Sequence, residues 1–144
     1  MKKFFIALIL PLFLSSSSFA GIYSSSYSQD NSSIIASVEL EEMGIVNLIV
    51  SIAFLSKPQD SKIYKSDEYN KLLQRLQLEW KGVALQKILE SKRLRRSDLV
   101  ILKNRIHTEI EILIEQLTKK LIPGQDAEVV FAISNFYLLE PRER

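Results

Sequence analysis

A chain of 144 residues without a cysteine is long enough for one packed core and has no disulfide to hold it together. Of its 19 Lys and Arg, two (Lys2 and Lys3) precede residue 21, as does none of its 17 Asp and Glu, so the remainder is balanced at 17 of each sign. The basic character belongs to the first residues, and a nucleic-acid role finds no support in the rest.

Residues 1–20 have the three parts of an export signal: the two lysines, the apolar run 4–14, and the small-residue ending Ser18-Phe19-Ala20. An apolar run of 11 residues containing Pro11 is short for a membrane span, which takes about 20 residues. The expectation is a signal peptide removed before Gly21. The other outcome is an uncleaved segment reaching Tyr23 that tethers the chain weakly to the inner membrane. No cysteine follows the run, so lipidation there is excluded. Residues 21–33 are rich in Ser with Tyr, Asn, Gln and Asp, too poor in apolar surface to offset chain ordering, and read as a flexible linker.

A single domain is expected over 34–140. Its first part is apolar and β-branched to Leu55, interrupted at Glu41-Glu42-Met43-Gly44, which reads as two strands joined by a turn. In 45–55 both alternating sets are largely apolar, as in a central strand. Lys57-Pro58-Gln59-Asp60-Ser61 opens a polar loop. Ser66 can cap a helix whose first turn holds Asp67 and Glu68, and Tyr69, Leu72, Leu73, Leu76, Trp80, Val83 and Ile88 recur at helical spacing. Gly82 is its soft point. After the basic connection 91–96, Ser97-Asp98 repeats the start signal. Leu99, Leu102, Ile106, Ile110, Leu113, Leu117 and Leu121 then form the clearest helical stripe, ended by Lys119, Lys120 and Pro123-Gly124.

The stretch 127–139 reads as a last strand, central or well covered. Val129, Phe131, Ile133, Tyr137 and Leu139 are expected on one face, with Val130, Ala132, Phe136 and Leu138 on the other. The order strand, strand, helix, helix, strand argues for an α+β fold, a short antiparallel or mixed sheet with both helices packed on one face.

Catalytic chemistry has little material. His107 is the one histidine, with Glu111 four residues on as its only carboxylate at helical spacing, and it reads as a partly exposed structural residue rather than a general base. No Gly-x-Ser-x-Gly turn, no calcium-type loop and no clustered glycines occur. No catalytic, cofactor-binding or metal-ligating residue is assigned, and no cofactor or small-molecule substrate is expected. A small hydrolase built on His107 is the weakest of the functional readings.

Lys92-Arg93-Leu94-Arg95-Arg96 is the one dense charge cluster. It reads as a solvated helix end and connection, with contact to anionic lipid headgroups or an acidic partner as the functional alternative. Trp80, Phe131, Phe136 and Tyr137 read as core, and Glu39, Glu41 and Glu42 as a charged hairpin end. An open sheet edge would offer strand-to-strand assembly.

Several strings resemble the FliL family of flagellar basal-body-associated proteins. They are Val46-Asn47-Leu48, the strand Leu48-Ile49-Val50-Ser51-Ile52-Ala53-Phe54, the helix run Ala84-Leu85-Gln86-Lys87-Ile88-Leu89-Glu90-Ser91-Lys92, and Glu128-Val129-Val130-Phe131-Ala132-Ile133-Ser134-Asn135-Phe136-Tyr137-Leu138. Together they fall within about residues 38–139. The resemblance implies a small periplasmic domain behind a membrane segment and linker, with a stomatin-like fold that favours ring-like homo-oligomers. It also implies flagellar stator proteins as partners, with a role in swimming, swarming or chemotaxis. The alternative is an exported adaptor or assembly chaperone of another envelope machine, such as a secretion system or pilus. Intact-mass measurement of the protein recovered from the cell envelope should give a chain beginning at Gly21; a mass retaining residues 1–20 would establish the tether.

Overall fold

Residues 41–43 turn the chain, and Gly44 makes the turn possible: its φ of 73° lies in the left-handed region, where a side chain would be strained. The computed structural model describes residues 33–56 and 62–140; the expected signal, most of the linker, the loop 57–61 and the tail 141–144 lie outside the described residues. Strands β1 (Ser33–Leu40) and β2 (Gly44–Ser56) pair antiparallel from Ser33↔Ser51 to Leu40↔Gly44. Ser33, assigned to the linker on composition, opens β1 instead, because its hydroxyl meets that of Ser51 at 2.7 Å.

Helix α1 (Asp67–Glu90) starts where capping chemistry places it, with Ser66 Oγ accepting the Tyr69 backbone N–H at 3.2 Å. Gly82 is exposed and does not interrupt it. Helix α2 (Leu99–Leu121) begins beside Ser97-Asp98 by different chemistry from that expected: neither residue caps the helix through its side chain. Asp98 Oδ2 instead accepts the Arg95 N–H at 2.9 Å and holds the 3-10 turn Arg96–Asp98 that leads into the helix. The helices run antiparallel, Lys87 Nζ lying 3.1 Å from Glu109 and Arg105 Nη2 lying 3.4 Å from Glu90. The Glu109 hydrogen bond, then that of Glu90, holds the Lys87 ammonium above its ordinary pKa, while Lys87 and Gln86 hold the Glu90 carboxyl below its own.

A four-stranded mixed sheet of order β3-β1-β2-β4 carries the helices. The basic connection contains the two-residue strand β3 (Arg93–Leu94), which joins β1 in parallel through Glu39↔Arg93 and Leu40↔Leu94. It escapes sequence reading because a two-residue strand has no periodicity. On β2, Val46, Leu48, Val50, Ile52 and Phe54 are at most 6% exposed, facing the helix stripe of Leu72, Leu76, Trp80, Ala84, Leu102, Ile106 and Ile110. Both helices therefore cover one side of the sheet. Trp80 is wholly buried, and truncating an aromatic in such a place to alanine costs about 3–5 kcal/mol. Its Nε1 has no hydrogen-bond partner among the described residues, so its role there is volume.

Strand β4 (Val129–Leu139) corrects two expectations. It is an edge strand, paired antiparallel with β2 alone among the described strands, and its helix-facing side is only half-buried. Its faces also differ from simple alternation, because the register shifts from Ser51↔Asn135 to Ile52↔Ile133 and leaves Ser134 as an extra residue. Past this bulge the parity inverts: Val129, Phe131, Ile133, Phe136 and Leu138 pack toward the helices, while Val130, Ala132, Asn135, Tyr137 and Leu139 lie on the other face. Deleting Ser134 would leave every remaining residue on its present face, whereas deleting Ile133 would set a serine in the helix-facing slot opposite Ile52. Urea unfolding should show the Ile133 deletion as less stable than the Ser134 deletion by about 1 kcal/mol, the worth of a half-buried isoleucine.

Candidate functional site

Among the described residues no helix covers the second side of the sheet, and cross-strand register builds that face row by row. Ser33, Ser51 and Asn135 form one polar row, in which Ser51 is 2% exposed and is satisfied by Ser33 at 2.7 Å and by Asn135 Nδ2 at 3.2 Å. The next row is Ile35–Ile49–Tyr137, then Ser37–Asn47–Leu139, where Ser37 Oγ donates to Asn47 Oδ1 at 3.1 Å, and then Ile45 opposite Glu39. Ile45 is 74% exposed, Ile35 63%, Tyr137 48% and Leu139 45%. On the far side of the polar row, Ala53 pairs with Ala132 and Leu55 with Val130. Scattered exposed apolar residues are ordinary; a register-aligned set on one flat face is the pattern of a contact surface.

Two tyrosines fix the strand that borders this face. Tyr69 Oη donates to the Glu128 carbonyl at 3.2 Å, and the Glu128 N–H donates to Tyr64 Oη at 3.2 Å, the rings meeting edge-on at 4.9 Å. Burial, reinforced by Tyr64 and Glu128, pushes the Tyr69 phenol up to about 12. A surface depression of about 430 Å³ lies beside this clamp, lined by Tyr64, Asp126, Ala127 and Glu128.

His107 is half-buried on α2, its ring 4.5 Å from that of Phe131 between centroids and its Nδ1 3.7 Å from Glu111. These residues line a shallow groove of about 270 Å³ with Ile114, Val129 and Val130. Packing against an aromatic ring with a carboxylate at ion-pair distance gives His107 a structural position at the helix–strand junction. Among the described residues that line this groove there is no nucleophile, and among the described residues no group of three or more His, Asp or Glu could hold a metal ion.

The basic cluster meets acids of its own chain. Arg93 lies 3.8 Å from Glu39 and Arg95 3.1 Å from Glu41, while Arg96 pairs with Glu140 and its N–H reaches Glu42 at 3.3 Å. Arg96 Nη2 also reaches Met43 Sδ at 3.2 Å, and the Glu41 N–H donates to the Leu94 carbonyl at 2.8 Å. The cluster and the hairpin acids, read separately in the sequence, are thus two halves of one contact, and the charge left to attract an anionic surface there is small. Each such exposed pair contributes at most about 1 kcal/mol. Trp80 is core, Phe131 and Phe136 are half-buried toward the helices, and Tyr137 lies on the bare face rather than in the core.

Sequence reading missed Ile35, Ile45 and Leu139 as surface residues. The available signal was that β2 is apolar on both alternating sets while two helices can cover only one.

Comparison with family models, with curated proteins and with solved structures finds no match. Among the described residues no helix is long and apolar enough to cross a membrane.

The Tyr69 clamp has a pH consequence. A phenol whose folded pKa is raised from 10.0 to about 12 contributes stability that is intact below pH 10 and lost as pH rises through 12. Stability measured by urea unfolding across that window should fall in the parent and fall less steeply in Tyr69→Phe.

Proposed function

We propose that the chain is a non-enzymatic periplasmic binding module that acts at the flagellar basal body and supports the stator units during swimming or swarming. The observation that carries the binding role is the bare sheet face, where Ile35, Ile49 and Tyr137 form a cross-strand row flanked by Ile45 and Leu139. A catalytic protein needs convergent titratable groups, and here the one histidine is engaged in packing. The export signal supports a place beyond the inner membrane, and the FliL-like strings support the motor as the machine served.

Deleting the gene should reduce swimming or swarming while filaments still assemble. Ile35→Lys with Ile45→Lys, both at exposed positions and expected to change stability by no more than about 0.5 kcal/mol each, should reproduce the defect. Full motility under high load in both strains would overturn the motor assignment. Normal motility with a defect in secretion or pilus assembly would move the same binding role to another envelope machine.

A further inference from the structure

The two edges of the sheet are protected unequally. On one side β3 pairs with β1 at Glu39 and Leu40 only, where Arg93 meets Glu39 and its neighbour Arg95 meets Glu41, but the helix-facing side chains of β1, Ile34, Val38 and Leu40, are at most 7% exposed. Short length and charge are the usual devices that keep an edge from pairing with another chain. The opposite edge has neither: β4 runs 11 residues from Val129 to Leu139 with no charge and no proline, and among the described residues no strand pairs with its outer side. Its single irregularity is the bulge at Ser134.

From this asymmetry we infer that β4 pairs antiparallel with β4 of a second copy of the chain, across a two-fold axis near the strand centre, joining two four-stranded sheets into one of eight. A strand edge presents backbone N–H and C=O groups, so its natural occupant is another strand, and an antiparallel match of identical strands closes by two-fold symmetry.

What selects a second copy over an isolated peptide is the helix layer. Phe131, Ile133, Phe136 and Leu138 face the helices yet are only half-buried, so α2 already reaches its limit at β4. A fifth strand would lie beyond that cover unless it brought helices of its own. A second copy does, and the two half-covered rows then close on each other. The ends do not oppose the pairing by charge: Glu128 of one copy comes to the end of the other strand where Arg96 already neutralises Glu140. The bare face is doubled by the same pairing. The inference rests on the edge and not on which machine the protein serves.

The chain contains no cysteine, so single cysteines report without background. The full chain, exported from cells in which it carries Cys at Val130, Ala132, Ser134, Asn135, Tyr137 or Leu139, is oxidised and run on non-reducing gels. Disulfide-linked homodimer should peak at Ala132, Ser134 or Asn135, on the order of tenfold above a Lys103→Cys control on the exposed side of α2, and fall toward Val130 and Leu139. Chains bearing Val130→Cys and Leu139→Cys, mixed, should link to each other better than either links to itself. Adding Ala132→Lys to the Ser134→Cys or Asn135→Cys chain, whichever links better, should abolish the link with the circular dichroism spectrum unchanged. Linkage no greater than at Lys103, equal linkage along the whole strand, or adducts only with a protein of another mass would each overturn the inference. Because the readout is mass, it stands or fails separately from any motility result.

Discussion

The row Val46, Leu48, Val50, Ile52 and Phe54, pressed against the stripe centred on Trp80, is the contact on which the rest of the molecule depends. With no disulfide available, apolar burial is the main force holding the domain, at roughly 25 cal/mol for each Å² removed from water. Two helices supply one layer and therefore one covered face. The other consequences are geometric: β2 is sealed on the helix side, β4 is half-sealed, and among the described residues no helix covers the outer face of either strand. Ser51 shows how this bare face stays compatible with folding, since its buried hydroxyl is matched within the sheet by Ser33 and Asn135 and needs no layer above it.

Electrostatics plays a different part, fixing position rather than adding much stability. The arginines after α1 and the glutamates of the β1–β2 hairpin are far apart in the chain, and their meeting draws the connection between the helices against the sheet edge. A few exposed ion pairs cannot hold a fold, but they help to set where an eight-residue connection lies. The same logic applies at the other end, where Tyr64 and Tyr69 hold the backbone at Glu128 and so set the point at which β4 enters the sheet.

The strands, the helices and their order were legible because each carries its own period. The turn at Gly44, the cap at Ser66 and the stripe on α2 are local signals, and local geometry honours them. What was not legible is non-local. A two-residue strand such as β3 exists only because β1 lies beside it, and the pairing of Arg93 and Arg95 with Glu39 and Glu41 is a product of that placement. The bulge is an intermediate case. Ser134-Asn135 is the one polar break in an apolar run, a visible mark, yet nothing in the run itself says that parity changes there; only pairing with β2 does. That single inserted residue decides whether Tyr137 is core or surface. Of the candidate site, the residue types were readable and the exposure was not, since exposure depends on how far the helix layer extends.

The composition of the bare face is therefore informative in itself. Packing demands apolar side chains at Val46 and Leu48, but it demands nothing at Ile35 or Ile45, which point away from every helix. A strand position in water accepts threonine or another polar residue of good strand propensity at little cost to the fold. Solubility favours such replacements, because exposed apolar strand surface invites association. Isoleucine at both positions, with Tyr137 and Leu139 on the neighbouring strand, is thus unexplained by the domain's own stability. Such a face fits the proposed binding role, in which a partner covers it.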